Sequence, residues 1–188
     1  MNKKIKVRRS CKLCLSFVRN YAFYKAGWNE DGTPFIAGTP GPNGVIFLLD
    51  QYWNTTLGNN IDIAILEWCK LFGNYDQEKF HWKKVIKDKK QYKLQMLTMF
   101  GHNETKWENY HKTIVKYRDE FVAHLDENNT FIVPYLETAL RLIFTHYEYL
   151  VQNEAEAGFF PEPIPNIQQY YEIHFELARN VYVEFLPK

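Results

Sequence analysis

The segment Thr105-KWENYHKTIVKYRDEFVAHL-Asp126 decides the fold class, because its helical pattern is the best supported in the chain. Thr105 and Glu108 have the spacing of a capping box, and apolar residues recur with a helical period after them. The polar run at 126–130 ends the pattern, and Pro134 suits the first turn of a following helix. The segment therefore predicts an amphipathic helix with an antiparallel helical neighbour.

The rest of the chain supports an all-α helical bundle of about six to seven helices. Two loops rich in proline and glycine, at 31–44 and 158–165, interrupt the helical pattern, and no strand pattern competes with it. The 188 residues fit a single domain, 1–188, with a basic N-terminal arm at 1–9. Helices are predicted at 9–26, 45–57, 61–72, 78–99, 105–126, 134–153 and 166–185.

Composition excludes several classes of protein. No run of about 18 uninterrupted apolar residues exists, so no membrane span is predicted, and the N-terminus lacks a signal-peptide pattern. We therefore expect a cytoplasmic protein. Cys11 and Cys14 have the C-x-x-C spacing of half a zinc site, but no second pair completes it, and they are better read as small apolar residues on a helix face. Neither a metal nor a cofactor is predicted.

Charge is distributed unevenly. Residues 79–93 carry seven lysines against Asp88 alone, and such a cluster can attract a phosphate backbone. Lys83, Lys84, Lys87 and Trp82 are therefore candidate RNA-binding residues, with charge from the lysines and stacking from the indole. Two other interpretations remain open. Trp82 is equally well read as a core residue, and the lysines as an ordinary solvated helix face.

Arg118 is the most informative side chain of the 105–126 helix, because it lies in the middle of the apolar arc. A guanidinium on a packed face needs a carboxylate, a phosphate or a wet cleft. His124 lies at the margin of the same arc, so both side chains can border one cleft. A histidine that passes protons beside an arginine that stabilises a reacting phosphate suits RNA cleavage without a metal, by attack of the 2'-hydroxyl.

The run Lys116-YRDEFVAHL-Asp126 resembles the Arg-x(4 to 6)-His signature of the HEPN superfamily, especially its abortive-infection members. This resemblance implies a helical bundle that dimerises with two Arg and His pairs facing one cleft. In many members it also implies a metal-independent endoribonuclease of toxin–antitoxin or phage-defence systems. The resemblance gives Arg118, Asp119 and His124 as catalytic residues, with RNA, a second copy and an antitoxin as expected partners.

The alternative is a non-catalytic helical module for protein interaction or dimerisation. Here Arg118 and Asp119 form salt bridges between neighbouring helices, and His124 is an interior histidine. The two hypotheses predict different surroundings. In the module, carboxylates should saturate Arg118 and His124 should be shielded from solvent. In the nuclease, both side chains should open onto a positively lined cleft.

Overall fold

The computed structural model describes residues 2–33, 35, 45–122, 133–154 and 166–184. Within these ranges the secondary structure is helical and no strand is present, which confirms the predicted all-α class. The α-helices are α1 Lys3–Ala26, α2 Val45–Phe72, α3 Trp82–Val85, α4 Lys89–Thr98, α5 Glu104–Tyr117, α6 Glu137–Asn153 and α7 Ile167–Glu184. A π-helical turn, Arg118–Val122, continues α5. Of the two predicted loops, 158–165 lies outside the described residues, as does most of 31–44.

Helix α1 lies at the centre of the bundle, where it contacts α2, α6 and α7. The side chain of Asn2 caps it by accepting the backbone N–H of Lys4 at 3.0 Å. The predicted start near residue 9 was therefore wrong, and the basic arm is largely the first turns of α1. The buried side chains of α1 recur at helical spacing, and they include Val7, Cys11, Cys14, Val18 and Tyr21.

Helix α2 is continuous, although two helices were predicted on either side of residues 58–60. Trp53, Leu57, Ile61 and Ile65 are buried at successive turns, so a single apolar stripe runs through this region. Burying that stripe outweighs the cost of about 1 kcal/mol that Gly58 imposes on a helix interior. Helix propensity alone therefore predicts a break in α2 that the structure does not have.

The predicted helix at 78–99 is divided into α3 and α4. Glu154, which is buried at the end of α6, accepts the backbone N–H of Lys87 at 2.7 Å between the two helices. Asp88 then caps α4 by accepting the N–H of Gln91 at 2.9 Å. Glu154 also pairs with Lys3 at 2.7 Å, so one buried carboxylate joins α1, α6 and the α3–α4 connection.

Helix α5 starts at Glu104, and the side chain of Asn103 caps it by accepting the N–H of Lys106 at 3.0 Å. The capping residue is therefore Asn103 and not Thr105. Helix α6 starts at Glu137, three residues after Pro134, so this proline precedes the helix and does not occupy its first turn. Within the described ranges, the α5 segment is helical to Val122.

The main core cluster contains buried residues from all seven α-helices. Cys11, Cys14 and Cys69 are free thiols within it, which agrees with the interpretation of Cys11 and Cys14 as apolar helix-face residues. Burial raises the pKa of Cys11 and of Cys69 to about 12, so both are protonated thiols at neutral pH. None of the described helices is long and apolar enough to span a bilayer.

Candidate functional site

Arg118 lies where α5 changes into the π-helical turn. Its Nε and Nη2 atoms are each 2.7 Å from Oδ1 of Asp119, and its Nη1 is 3.5 Å from Oε1 of Glu78. The arginine side chain is only 11% exposed. Two carboxylates therefore satisfy the guanidinium, which is the arrangement that the module hypothesis predicts for Arg118.

Glu78 comes from the segment between α2 and α3, so its pair with Arg118 joins this segment to the end of α5. Burial raises the pKa of Glu78 above its ordinary value, while Arg118 opposes that shift. The guanidinium therefore favours the ionised carboxylate, and Lys70 and Lys84 add smaller effects in the same direction. Removing Arg118 would leave a half-buried acid without its closest cation.

His124 lies outside the described residues, so its position relative to Arg118 stays a prediction. Asp119 follows Arg118 directly, and its carboxylate is more than half exposed. Among the described residues, one cleft beside α5 is lined by Trp107 and His111 and another by Tyr117 and Phe121, and Arg118 lines neither of them. Of the three predicted catalytic residues, the structure brings Arg118 and Asp119 together in an ion pair.

The candidate RNA-binding residues are divided between core and surface. Trp82 is only 3% exposed and packs on Tyr92, with 5.2 Å between ring centroids, so its ring is not accessible to a nucleobase. Lys83 and Lys87 are exposed, and the ammonium of Lys84 lies 4.7 Å from the ring centroid of Tyr75. Positive charge is thus available at this surface, but the predicted stacking by Trp82 is not.

Sequence reasoning missed a cleft of about 310 Å³ between α4, α5 and the segment that follows α2. His81 and His111 both line it, although they are 30 positions apart in the chain. Lys83, Lys93 and Lys112 line it as well. No local motif joins these residues, since only the packing of α5 against the end of α2 brings them together. We call this feature the histidine cleft.

Sequence reasoning also missed an exposed apolar stripe on α7. Ile173, Leu177 and Val181 are spaced by one helical turn, and they are 56%, 54% and 37% exposed. Glu172, Glu176 and Glu184 lie on the exposed surface of the same helix. The cation of α7, Arg179, points inward, because its Nη1 donates to the carbonyl oxygen of Ala26 at 2.8 Å.

Comparison of the chain with protein-family models, with curated proteins and with solved structures finds no match. The resemblance to the HEPN superfamily therefore rests on the sequence motif around Arg118. A search of the described residues for three or more clustered histidine, cysteine or acidic side chains finds no group that could hold a metal ion.

Proposed function

We propose that this chain is a non-catalytic helical module that binds a partner protein through the exposed face of α7. The observation that carries the proposal is the stripe formed by Ile173, Leu177 and Val181. Three large apolar side chains in line on one helix expose surface that burial against a partner would stabilise, at about 25 cal/mol per Å². Such a stripe is typical of a helix-recognition surface.

The charges beside the stripe define the chemistry of the partner. Glu172, Glu176 and Glu184 are exposed on α7, whereas Arg179 donates to the backbone of the α1 end. A partner that places apolar side chains on the stripe therefore meets a negative border. Charge complementarity favours a basic amphipathic helix over an acidic one. A second copy of this chain would bring its own acidic α7 to a symmetric contact, which favours a different partner.

The surroundings of Arg118 support a structural role for this residue. Its pairs with Glu78 and Asp119 satisfy the guanidinium within the protein, and the side chain is nearly buried. A ribonuclease remains the second candidate because of one observation. The π-helical turn Arg118–Val122 begins at the predicted motif, and π-helical turns often mark functional positions.

The module is tested with two peptides, a 20-residue Leu/Lys amphipathic helix and its Leu/Glu counterpart, titrated by fluorescence anisotropy. We expect the Leu/Lys peptide to bind at least about tenfold more tightly than the Leu/Glu peptide. Leu177→Ser should weaken that binding about tenfold, since it removes a contact worth about 1.5 kcal/mol. Leu94→Ser is the matched control, because Leu94 is equally exposed at 57% but lies on α4.

Equal binding of the two peptides, or equal effects of Leu177→Ser and Leu94→Ser, would overturn the module. Sedimentation of the parent and of Leu177→Ser tests whether a second copy of the chain occupies the α7 stripe. A concentration-dependent dimer that Leu177→Ser disrupts would replace the basic helix with a second copy of the chain.

The ribonuclease is tested by incubating a labelled RNA pool with the protein in EDTA. The parent is compared with folded Arg118→Ala and His124→Ala variants. The module predicts that all three leave the RNA intact. Cleavage by the parent that both variants lose would instead establish a metal-independent nuclease, because Arg118 and His124 are the residues to which the motif assigns the chemistry.

A further inference from the structure

The histidine cleft is a second feature of the molecule, independent of the α7 face. It lies between α4, α5 and the Gly73–Tyr75 segment, and its volume is about 310 Å³. Sites for small molecules span about 300–1,000 Å³, so this cleft suits a ligand of one ring and one charged group. Its walls combine cations, histidine rings and aromatic side chains, which together define a ligand class.

The cations of the cleft are only partly neutralised by the protein. Lys93 forms an ion pair with Glu104, so these two charges offset one another. Lys83 and Lys112 are exposed, and among the described residues no carboxylate lies within ion-pair distance of either ammonium. The Lys83 ammonium lies 5.4 Å from the centroid of the Trp82 ring, which holds it near the cleft. Glu108 also lines the cleft. Apart from the Lys93–Glu104 pair, the cleft therefore contains two lysines, Lys83 and Lys112, and one acidic side chain.

The two histidines add directed polar groups. The Nδ1 atom of His81 accepts the backbone N–H of Lys83 at 3.2 Å. Burial, with Lys83 next in importance, lowers the pKa of His81 to about 3, so its ring is neutral at pH 7 and Nε2 carries the proton. His111 donates from Nε2 to the carbonyl oxygen of Gly73 at 3.4 Å, which fixes its ring in the wall of the cleft.

Aromatic side chains form the remaining wall. Tyr75 is exposed, and its ring meets the ring of His81 edge-on with 5.4 Å between centroids. Trp107 is half-buried and packs on His111 with 5.5 Å between centroids. An aromatic ring on the ligand would extend this cluster, because aromatic pairs stabilise one another beyond the effect of the area that they bury.

We propose that the histidine cleft binds a small aryl phosphate monoester. In this arrangement the phosphate lies between Lys83, Lys112 and the histidine rings, and the aryl ring packs on Tyr75 and Trp107. Two lysine ammonium groups favour a dianion over a monoanion, because the attraction between each ammonium and the ligand grows with the ligand's charge. The site uses neither Arg118 nor the α7 stripe, so an experiment that contradicts this site does not contradict the proposed function.

The test titrates the full chain with phenyl phosphate, phenyl sulfate and inorganic phosphate by isothermal titration calorimetry at pH 7.5. Phenyl sulfate has the same shape with one negative charge, and inorganic phosphate has the charge without the ring. We expect phenyl phosphate to bind about tenfold more tightly than either probe. Equal affinity for phenyl sulfate would overturn the dianion site, and equal affinity for inorganic phosphate would overturn the aryl contact. Absence of saturable binding would overturn both.

Three exposed positions on α5 locate the binding. Lys112→Gln should weaken phenyl phosphate binding about tenfold, whereas Glu108→Gln should tighten it severalfold, because it removes the opposing charge. Lys106→Gln is the matched control, since Lys106 is exposed on the same helix but does not line the cleft. Indistinguishable effects of Lys112→Gln and Lys106→Gln, or weaker binding in Glu108→Gln, would overturn the proposed site. Circular dichroism establishes that all three variants are folded.

Discussion

The charged side chains at the two ends of α5 differ in whether the protein itself supplies their partners. At its C-terminal end, Arg118 is nearly buried and meets the carboxylates of Glu78 and Asp119. Two helical turns earlier on the same face, His111 lines an open cleft together with Lys112. The first group of charges is satisfied by the protein itself, while the second retains polar atoms for a ligand.

This difference shows why a residue type alone does not identify a site. Arginine on an apolar face was the strongest chemical signal in the sequence, yet its partners make it a structural connection between α5 and the segment after α2. The histidines gave no signal, because His81 and His111 are far apart in the chain.

The largest expected effect is loss of stability in acid, which arises from His81 in the histidine cleft and from His146 of α6 in the core. Burial lowers the pKa of both His81 and His146 to about 3, so the folded protein keeps these rings neutral. Below about pH 6.5 the unfolded chain binds their protons and the folded chain does not, so stability falls with pH until about pH 3. Each histidine contributes about 1.4 kcal/mol per pH unit, or about 4 kcal/mol together from pH 7 to pH 5.

Urea unfolding at several pH values measures how the free energy of unfolding changes with pH. His81→Asn separates the two histidines, because an asparagine side chain can still accept the N–H of Lys83 at the start of α3 but does not titrate. We expect this variant to lose about half of the pH dependence. An unchanged slope in His81→Asn would contradict the neutral state of the ring in the cleft.

A smaller loss of stability is expected from a substitution at the Arg118 end of α5. Arg118→Met keeps much of the side-chain volume but leaves Glu78 without its cation, and we expect a loss of about 2–3 kcal/mol in the free energy of unfolding. Lys116→Met is the control, because Lys116 is 71% exposed and its pair with Glu120 is worth about 0.5 kcal/mol or less. Both values come from urea denaturation at pH 7. Equal losses in the two variants would mean that Arg118 behaves as an ordinary surface cation.

The local sequence pattern predicted the fold class and many of the helix ends, because apolar periodicity and helix capping both depend on residues a few positions apart. It failed where tertiary contacts override propensity. The continuous α2 follows from a buried stripe across Gly58. The break between α3 and α4 follows from Glu154, whose carboxylate accepts the backbone N–H of Lys87 from 67 positions away in the chain. The Arg118–Asp119 pair was predictable because its members are adjacent. Glu78 and the histidine cleft were not, since they depend on long-range packing.

The smallest expected effect is at the lysines of the cleft. Lys112→Met and Lys106→Met remove the same charge from exposed positions of α5, but Lys112 lines the cleft and Lys106 does not. Neither ammonium has a carboxylate within ion-pair distance among the described residues, so each substitution should change the free energy of unfolding by less than about 0.5 kcal/mol. Urea denaturation without ligand checks this. A loss in Lys112→Met comparable to that in Arg118→Met would show that the protein already uses this charge for its own stability, and the contrast between the two ends of α5 would then disappear.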